Sequence, residues 1–88
     1  MTALNDDPAV LIARHVETAN NTPDDPDAWL RDSGVSIWAL VDYWYGVSFD
    51  TAETTRAYGL SPEAMAAALA YYRQHQAVID ARRLLNAV

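Results

Sequence analysis

The chain has 88 residues, enough for one small domain with a modest core. Its composition is 51% hydrophobic, with three tryptophans and five tyrosines, which excludes a disordered segment, and the lack of cysteine excludes both a disulfide framework and a thiolate metal site. The net charge is −6, from twelve acidic residues against six arginines and no lysine, which suits a solubilising role or a basic protein partner better than autonomous nonspecific nucleic-acid binding.

No apolar run approaches the ~20 residues needed to cross a bilayer. The stretch Met1–Asp7 lacks the basic-then-apolar profile of a secretion signal. We therefore read the protein as cytoplasmic, with no membrane contact. In Val10–Glu17 the apolar residues are too clustered to separate a strand from a first helical turn, and we read a short strand. Asn20–Asp27 holds two prolines among Asn and Asp, which predicts a surface loop. Ala28–Leu30 and Val35–Ile37 then flank a turn at Asp32–Gly34, as two very short strands would.

From Ser36 the signals are helical. Ser36 is placed to cap a helix over Ile37–Tyr45 that Gly46 would end; only Asp42 in it is charged, so it should be buried on more than one side. Ser48 is read as the cap of a second helix, Phe49–Tyr58, with Asp50 and Glu53 near its positive end and Gly59 stopping it. Its apolar face is thin: Phe49, Ala52 and Ala57 or Tyr58. Ser61 before Pro62 is a cap residue preceding a proline at the first helical position, a clear start for an alanine-rich helix from Pro62 to about His75. That helix carries two apolar stripes: Met65, Ala68, Leu69, Tyr72 and, if the helix continues or restarts, Ile79; and Ala64, Ala67, Tyr71, His75, Val78. Two stripes imply two packing surfaces, one for the domain's own core and one for something else. Ile79, Leu84, Leu85 and Val88 mark a short terminal helix with Asp80 as its cap.

Leu60-Ser61-Pro62-Glu63-Ala64-Met65-Ala66-Ala67-Ala68-Leu69-Ala70-Tyr71-Tyr72-Arg73-Gln74-His75, followed by Val78-Ile79-Asp80, resembles the C-terminal half of DUF433 domains, whose pattern reads LS-x-E-x-(V)-x-A-A-L-x-Y-Y-x-x-H-x-x-x-I-D. Val35–Val41 is similar to that family's strand-into-helix segment and Ala13–Glu17 to its opening strand, so the resemblance spans residues 11–81. Two features depart from it. The arginine of the family's GTRIPV run has no counterpart in Asp32–Ile37, and the stretch between Ser48 and Gly59 is longer. The resemblance implies a mostly α fold: a homeodomain-like trihelical helix-turn-helix core (37–76) after a small N-terminal β/loop region (1–36), closed by a C-terminal helix (77–88), all one domain. It also implies an antitoxin-type role in transcription regulation within a bacterial toxin-antitoxin pair, with the toxin as protein partner.

In a helix-turn-helix the N-terminal residues of the second helix face the bases. Here those are Ser61, Glu63, Ala64, Ala66 and Ala67, which supply a hydroxyl, a carboxylate and methyl groups but no bidentate guanine reader; Arg56 and Arg73 are placed for phosphates. With the charge unfavourable, DNA binding by the chain alone is expected to be weak, and DNA is expected only through a complex. Tyr71 and Tyr72, with Trp38, Trp44, Tyr43 and Tyr45, suit an interface hot spot or base stacking; core packing accounts for at least half of them, and because adjacent helical residues point about 100° apart some are left over. We assign Trp38, Trp44, Tyr45, Tyr71, Tyr72 and His75 to a partner interface, and homodimerisation is expected of so small and apolar a chain. An interaction module without DNA binding is the alternative. His15 and His75 lack the companion spacing of a zinc site, the acids Asp24, Asp25 and Asp27 lack the glycine and glutamate of a calcium loop, and no nucleophile–base pair can be assembled. No enzyme activity, metal or cofactor is expected.

Overall fold

Asp7 and Pro8 open the first helix of the computed structural model, which describes residues 7–87. Asp7 accepts a bond from the Ala9 N–H at 3.0 Å and Pro8 occupies the first helical position, so α1 runs over Pro8–His15. This corrects the strand expected over Val10–Glu17: only its last two residues are extended. The readings of Met1–Asp6 as a non-secretory start and of Val88 as part of the last apolar stripe lie outside the described residues.

Strand β1 (Val16–Glu17) pairs antiparallel with β2 (Trp29–Leu30), Val16 opposite Leu30, and Trp29 also bridges Ser36. The two short strands expected around Asp32–Gly34 thus survive as one strand and one bridge. Arg31 ties this small sheet to α1. Its guanidinium reaches Glu17 at 2.6 Å and donates to the Arg14 carbonyl at 2.9 Å and the Ala13 carbonyl at 3.3 Å, filling the open C-terminal acceptors of α1.

Helix α2 (Ile37–Gly46) starts where expected, after Ser36, but the Ser36 side chain makes no capping bond. Its end corrects the sequence reading. Phe49 N–H bonds the Trp44 carbonyl at 2.7 Å and Ser48 N–H the Tyr45 carbonyl at 3.1 Å, the Schellman pattern, with Phe49 stacked edge-on against Trp44. The left-handed residue of that motif is Ser48 (φ 57°), and Phe49 follows it at φ 65°. Gly46 sits inside the last turn, two residues too early to serve. Ser48 and Phe49 therefore belong to the turn, and α3 (Thr51–Ala57) is capped instead by Asp50, which accepts from the Glu53 N–H at 3.0 Å. The same motif ends α3 with Gly59 (φ 65°) in the left-handed position, bonded Gly59 N–H to Arg56 carbonyl and Leu60 N–H to Thr55 carbonyl. A side chain at φ near 60° costs about 1 kcal/mol that glycine avoids. Ser48→Gly is accordingly expected to raise stability by about 0.5–1 kcal/mol, a rise of roughly 2–6 °C in Tm; thermal unfolding followed by circular dichroism checks it.

Ser61 accepts from the Ala64 N–H at 3.1 Å and starts α4 (Pro62–Gln74) as the sequence predicts. His75 (φ −128°) breaks the path, and α5 follows at once over Gln76–Ala87. Asp80 lies inside α5 and caps nothing. Helix α4 is the centre of the fold. Met65, Ala67, Ala68, Leu69, Ala70, Tyr71 and Tyr72 are all buried, α1 packs along it, and α2, α3 and α5 also touch it. This narrows the two-surface reading, because both stripes are met largely by the chain's own helices, with Ala64, His75 and Val78 left half-buried. The core also draws in Leu11, Val16, Ala28 and Leu30 from before residue 37 and Ile79 from after residue 76. No helix among the described residues is long and apolar enough to cross a membrane.

Candidate functional site

The residues nominated for base reading sit at the start of α4, and the end of α1 lies over them. Glu63 is held by Arg14, whose Nη1 donates to Oε2 at 2.6 Å, while His15 Nε2 stands 3.1 Å from the same oxygen, off the line of a well-formed bond. His15 and then the Arg14 guanidinium hold the Glu63 carboxyl below its ordinary value of 4.5. A depressed carboxyl stabilises the fold above its unfolded pKa and loses that contribution as pH falls through the folded value. Glu63→Gln is therefore expected to lower Tm at pH 7, with the gap from wild type closing below about pH 4.5; Tm measured across pH 3–7 checks the sign. Ser61 spends its hydroxyl on the helix cap, and Ala67 is wholly buried and reaches no ligand. Ala64 is half-buried against the core, Ala66 is exposed, and Arg56 pairs with Glu53 one turn earlier on α3.

The aromatic set divides into separate contacts inside the chain. Tyr71 is buried, and its hydroxyl both accepts from the Asp25 N–H at 3.0 Å and donates to the Asp25 carbonyl at 2.9 Å. Burial pushes its pKa up. His75 stacks on the Tyr71 ring at 4.2 Å and reaches Asp24 with Nδ1 at 2.5 Å. Asp25 is itself buried and accepts from the N–H groups of Ala19 and Asp27, so the Asn20–Asp27 loop is fastened to α4. On α5's side, Tyr72 donates to Asp80 at 2.8 Å and lies 2.6 Å from the Tyr45 hydroxyl; burial, then the Tyr45 bond and the Asp80 carboxylate, raise its pKa strongly. Arg83 lies 3.9 Å above the Tyr45 ring and bridges Asp42 and Asp80; Arg82 lies 4.3 Å above Trp38 and bonds Asp27. Trp44 donates to Thr51 at 3.1 Å. Tyr71 and Tyr72 are thus corrected from interface to core, and Trp38, Trp44, Tyr45 and His75 are half-covered by the chain's own arginines, aromatics and acids. They do not form one exposed patch.

What stays open is a groove of about 770 Å³ over α4, between α1 and α3. Leu11 of α1 forms one wall, and Ala52, Thr55 and Arg56 of α3 the other. The floor is one side of α4: Pro62, Met65, Ala66, Leu69, Ala70 and Arg73. The cause is local. The segment Thr51–Ala57 reads TAETTRA and brings no large apolar side chain to fill the wedge beside α1. The thin apolar face of the second helix was the sequence signal for this groove, but the pairing of α1 with α4 could not be read beside it. Arg56 and Arg73 were the two arginines nominated for phosphates, and both line it. A smaller apolar patch gathers Phe49, which is 53% exposed, beside Tyr45. Among the described residues no three metal-ligating side chains converge. Compared with family models, curated proteins and solved structures, the chain matches none.

Proposed function

We propose that this chain is an antitoxin-type regulator of the DUF433 kind, in which α2, α3 and α4 form a homeodomain-like trihelical unit used to bind a protein partner. DNA contact, where it occurs, belongs to the complex. The family pattern over Leu60–Asp80 motivates the antitoxin role. The observation that carries the choice of protein over bare DNA is the state of the base-reading end of α4: Glu63 is held by Arg14 with His15 close beside it, and Ala67 is buried. A recognition helix needs that end free to enter the major groove. The remaining cations point the same way, since every arginine except Arg73 has a carboxylate partner within the described chain.

The test is co-expression with the product of the adjacent gene, followed by affinity capture and a mobility shift on the upstream DNA at low salt. The reading predicts capture, no shift by the chain alone, and a shift only with the complex present. Failure of capture together with failure to shift DNA sinks it. A second reading, a homodimeric interaction module, is favoured by the exposed Phe49 beside Tyr45 and by Leu84 and Leu85 at 69% and 72% exposure. Light scattering on the same sample tests this second reading: a monomer sinks it, and a dimer that captures no adjacent product favours it over the first.

A further inference from the structure

The groove between α1, α3 and α4 has three properties that together specify an occupant. Its floor follows α4 from Pro62 to Arg73, at positions spaced by three, four, seven, eight and eleven residues from its first, so it is about 16 Å long and straight. Two floor positions, Ala66 and Ala70, are methyl groups, which let a second backbone approach closely. Among the described residues no aspartate or glutamate lines it, in a chain with twelve of them, while two of the six arginines do. Arg73 is the telling one. It is exposed and is the only arginine that lacks an ion-pair partner among the described residues. Arg56 is held only by Glu53 in an exposed pair of the kind that contributes little and is readily exchanged.

We infer that this groove is the docking surface for an amphipathic α-helix of a partner protein, one that lays aliphatic side chains along α4 and presents a carboxylate to Arg73. The inference rests on the protein-binding reading above and names the site and chemistry of that contact. Length, straightness and small floor residues match a helix seated in a groove, where anchors recur at i, i+3, i+4 and i+7. The unpaired Arg73 supplies orientation, since a carboxylate at only one end of the helix satisfies it. Like charge elsewhere on this acidic chain suppresses acidic partners that do not reach the groove.

The experiment is a selection of displayed helical peptides of three to four turns on the full chain, followed by affinity measurement on the enriched sequences. Enrichment of peptides with an i, i+3, i+4, i+7 aliphatic stripe and an Asp or Glu near one end is expected. Arg73→Gln should weaken them about tenfold or more, whereas Gln74→Glu, which changes net charge equally at the exposed neighbour outside the groove, should change affinity less than about threefold. Ala66→Phe, at an exposed position, should abolish binding while leaving Tm unchanged; if that variant unfolds, Arg73→Gln alone still decides. No enrichment, enrichment of stripes without acid, or equal sensitivity to the two charge variants overturns the proposal. So does competition by dodecanoate with no peptide enriched, which would give the groove to small aliphatic anions, or a concentration-dependent dimer abolished by Arg73→Gln, which would give it to a second copy. Capture of the adjacent gene's product unaffected by Arg73→Gln, with no peptide enriched, would remove the groove and leave the antitoxin reading standing. Peptide binding without such capture would do the reverse.

Discussion

Replacing Leu40 with alanine is expected to lower the unfolding free energy by about 2–5 kcal/mol, the largest single effect we anticipate. Leu40 has no exposed surface and lies in one cluster with Ile37, Met65 and Ile79, so truncation loses transfer energy and leaves a cavity that three surrounding helices cannot close. A domain of this size has roughly 5–10 kcal/mol in total, so the variant should be partly unfolded at 37 °C. Urea denaturation at 25 °C measures the loss. The paired control is Leu84→Ala: the same chemical change at a position 69% exposed should stay within about 0.5 kcal/mol. A Leu40→Ala loss below about 1 kcal/mol would mean that α2 is not packed as described.

Tyr71→Phe is expected to cost about 1–3 kcal/mol, although it deletes one oxygen and leaves no large cavity. That oxygen serves both the N–H and the carbonyl of Asp25; without it the N–H loses its partner and the carbonyl keeps only the 3.4 Å bond from the Ala28 N–H. The effect should be local before it is global. Hydrogen exchange at the Asp25 amide should accelerate by about tenfold to a hundredfold while Ala67 and Ala68 in α4 change by no more than the global loss. Uniform acceleration would contradict the anchoring role. The same experiment bears on function, because a loop fastened to α4 through Tyr71 leaves that ring unavailable to a partner.

Two helix starts show how far sequence reading reaches. Ser61-Pro62 and Asp7-Pro8 carry the same signal, a capping side chain before a proline at the first helical position, and both open helices. The first was read correctly because an alanine-rich stretch of high helix propensity follows it. The second is followed by the apolar cluster Val10-Leu11-Ile12, whose period is ambiguous over so few residues. At α2 the difficulty was the reverse. Gly46 looks like a stop, yet the left-handed position falls on Ser48, because the edge-on contact of Phe49 with Trp44 fixes where the Schellman turn closes. That contact spans only five residues; what hides it is that Ser48, a residue type seldom left-handed, stands where glycine is the usual signal.

The candidate site divides in the same way. Arg56 and Arg73 were expected to meet phosphates from their place in the helix-turn-helix, and both line the groove. Ala67, Tyr71 and Tyr72 were singled out by helical position and proved to be core. Periodicity reports which residues share a stripe, whereas which neighbour meets that stripe depends on contacts distant in sequence, such as Arg14 with Glu63 and Asp25 with Tyr71. Composition, caps and turn residues by themselves determined a mostly helical chain, a central alanine-rich helix starting after Ser61, and a surface with few cations to spare. Only the tertiary structure decided that α1 and α5 join α2 around α4, that both apolar stripes are therefore met largely within the chain, and that a groove beside α3 is left open with an arginine unpaired among the described residues. The reason is that caps and propensities act within a turn or two of helix, while burial is shared among segments separated by tens of residues.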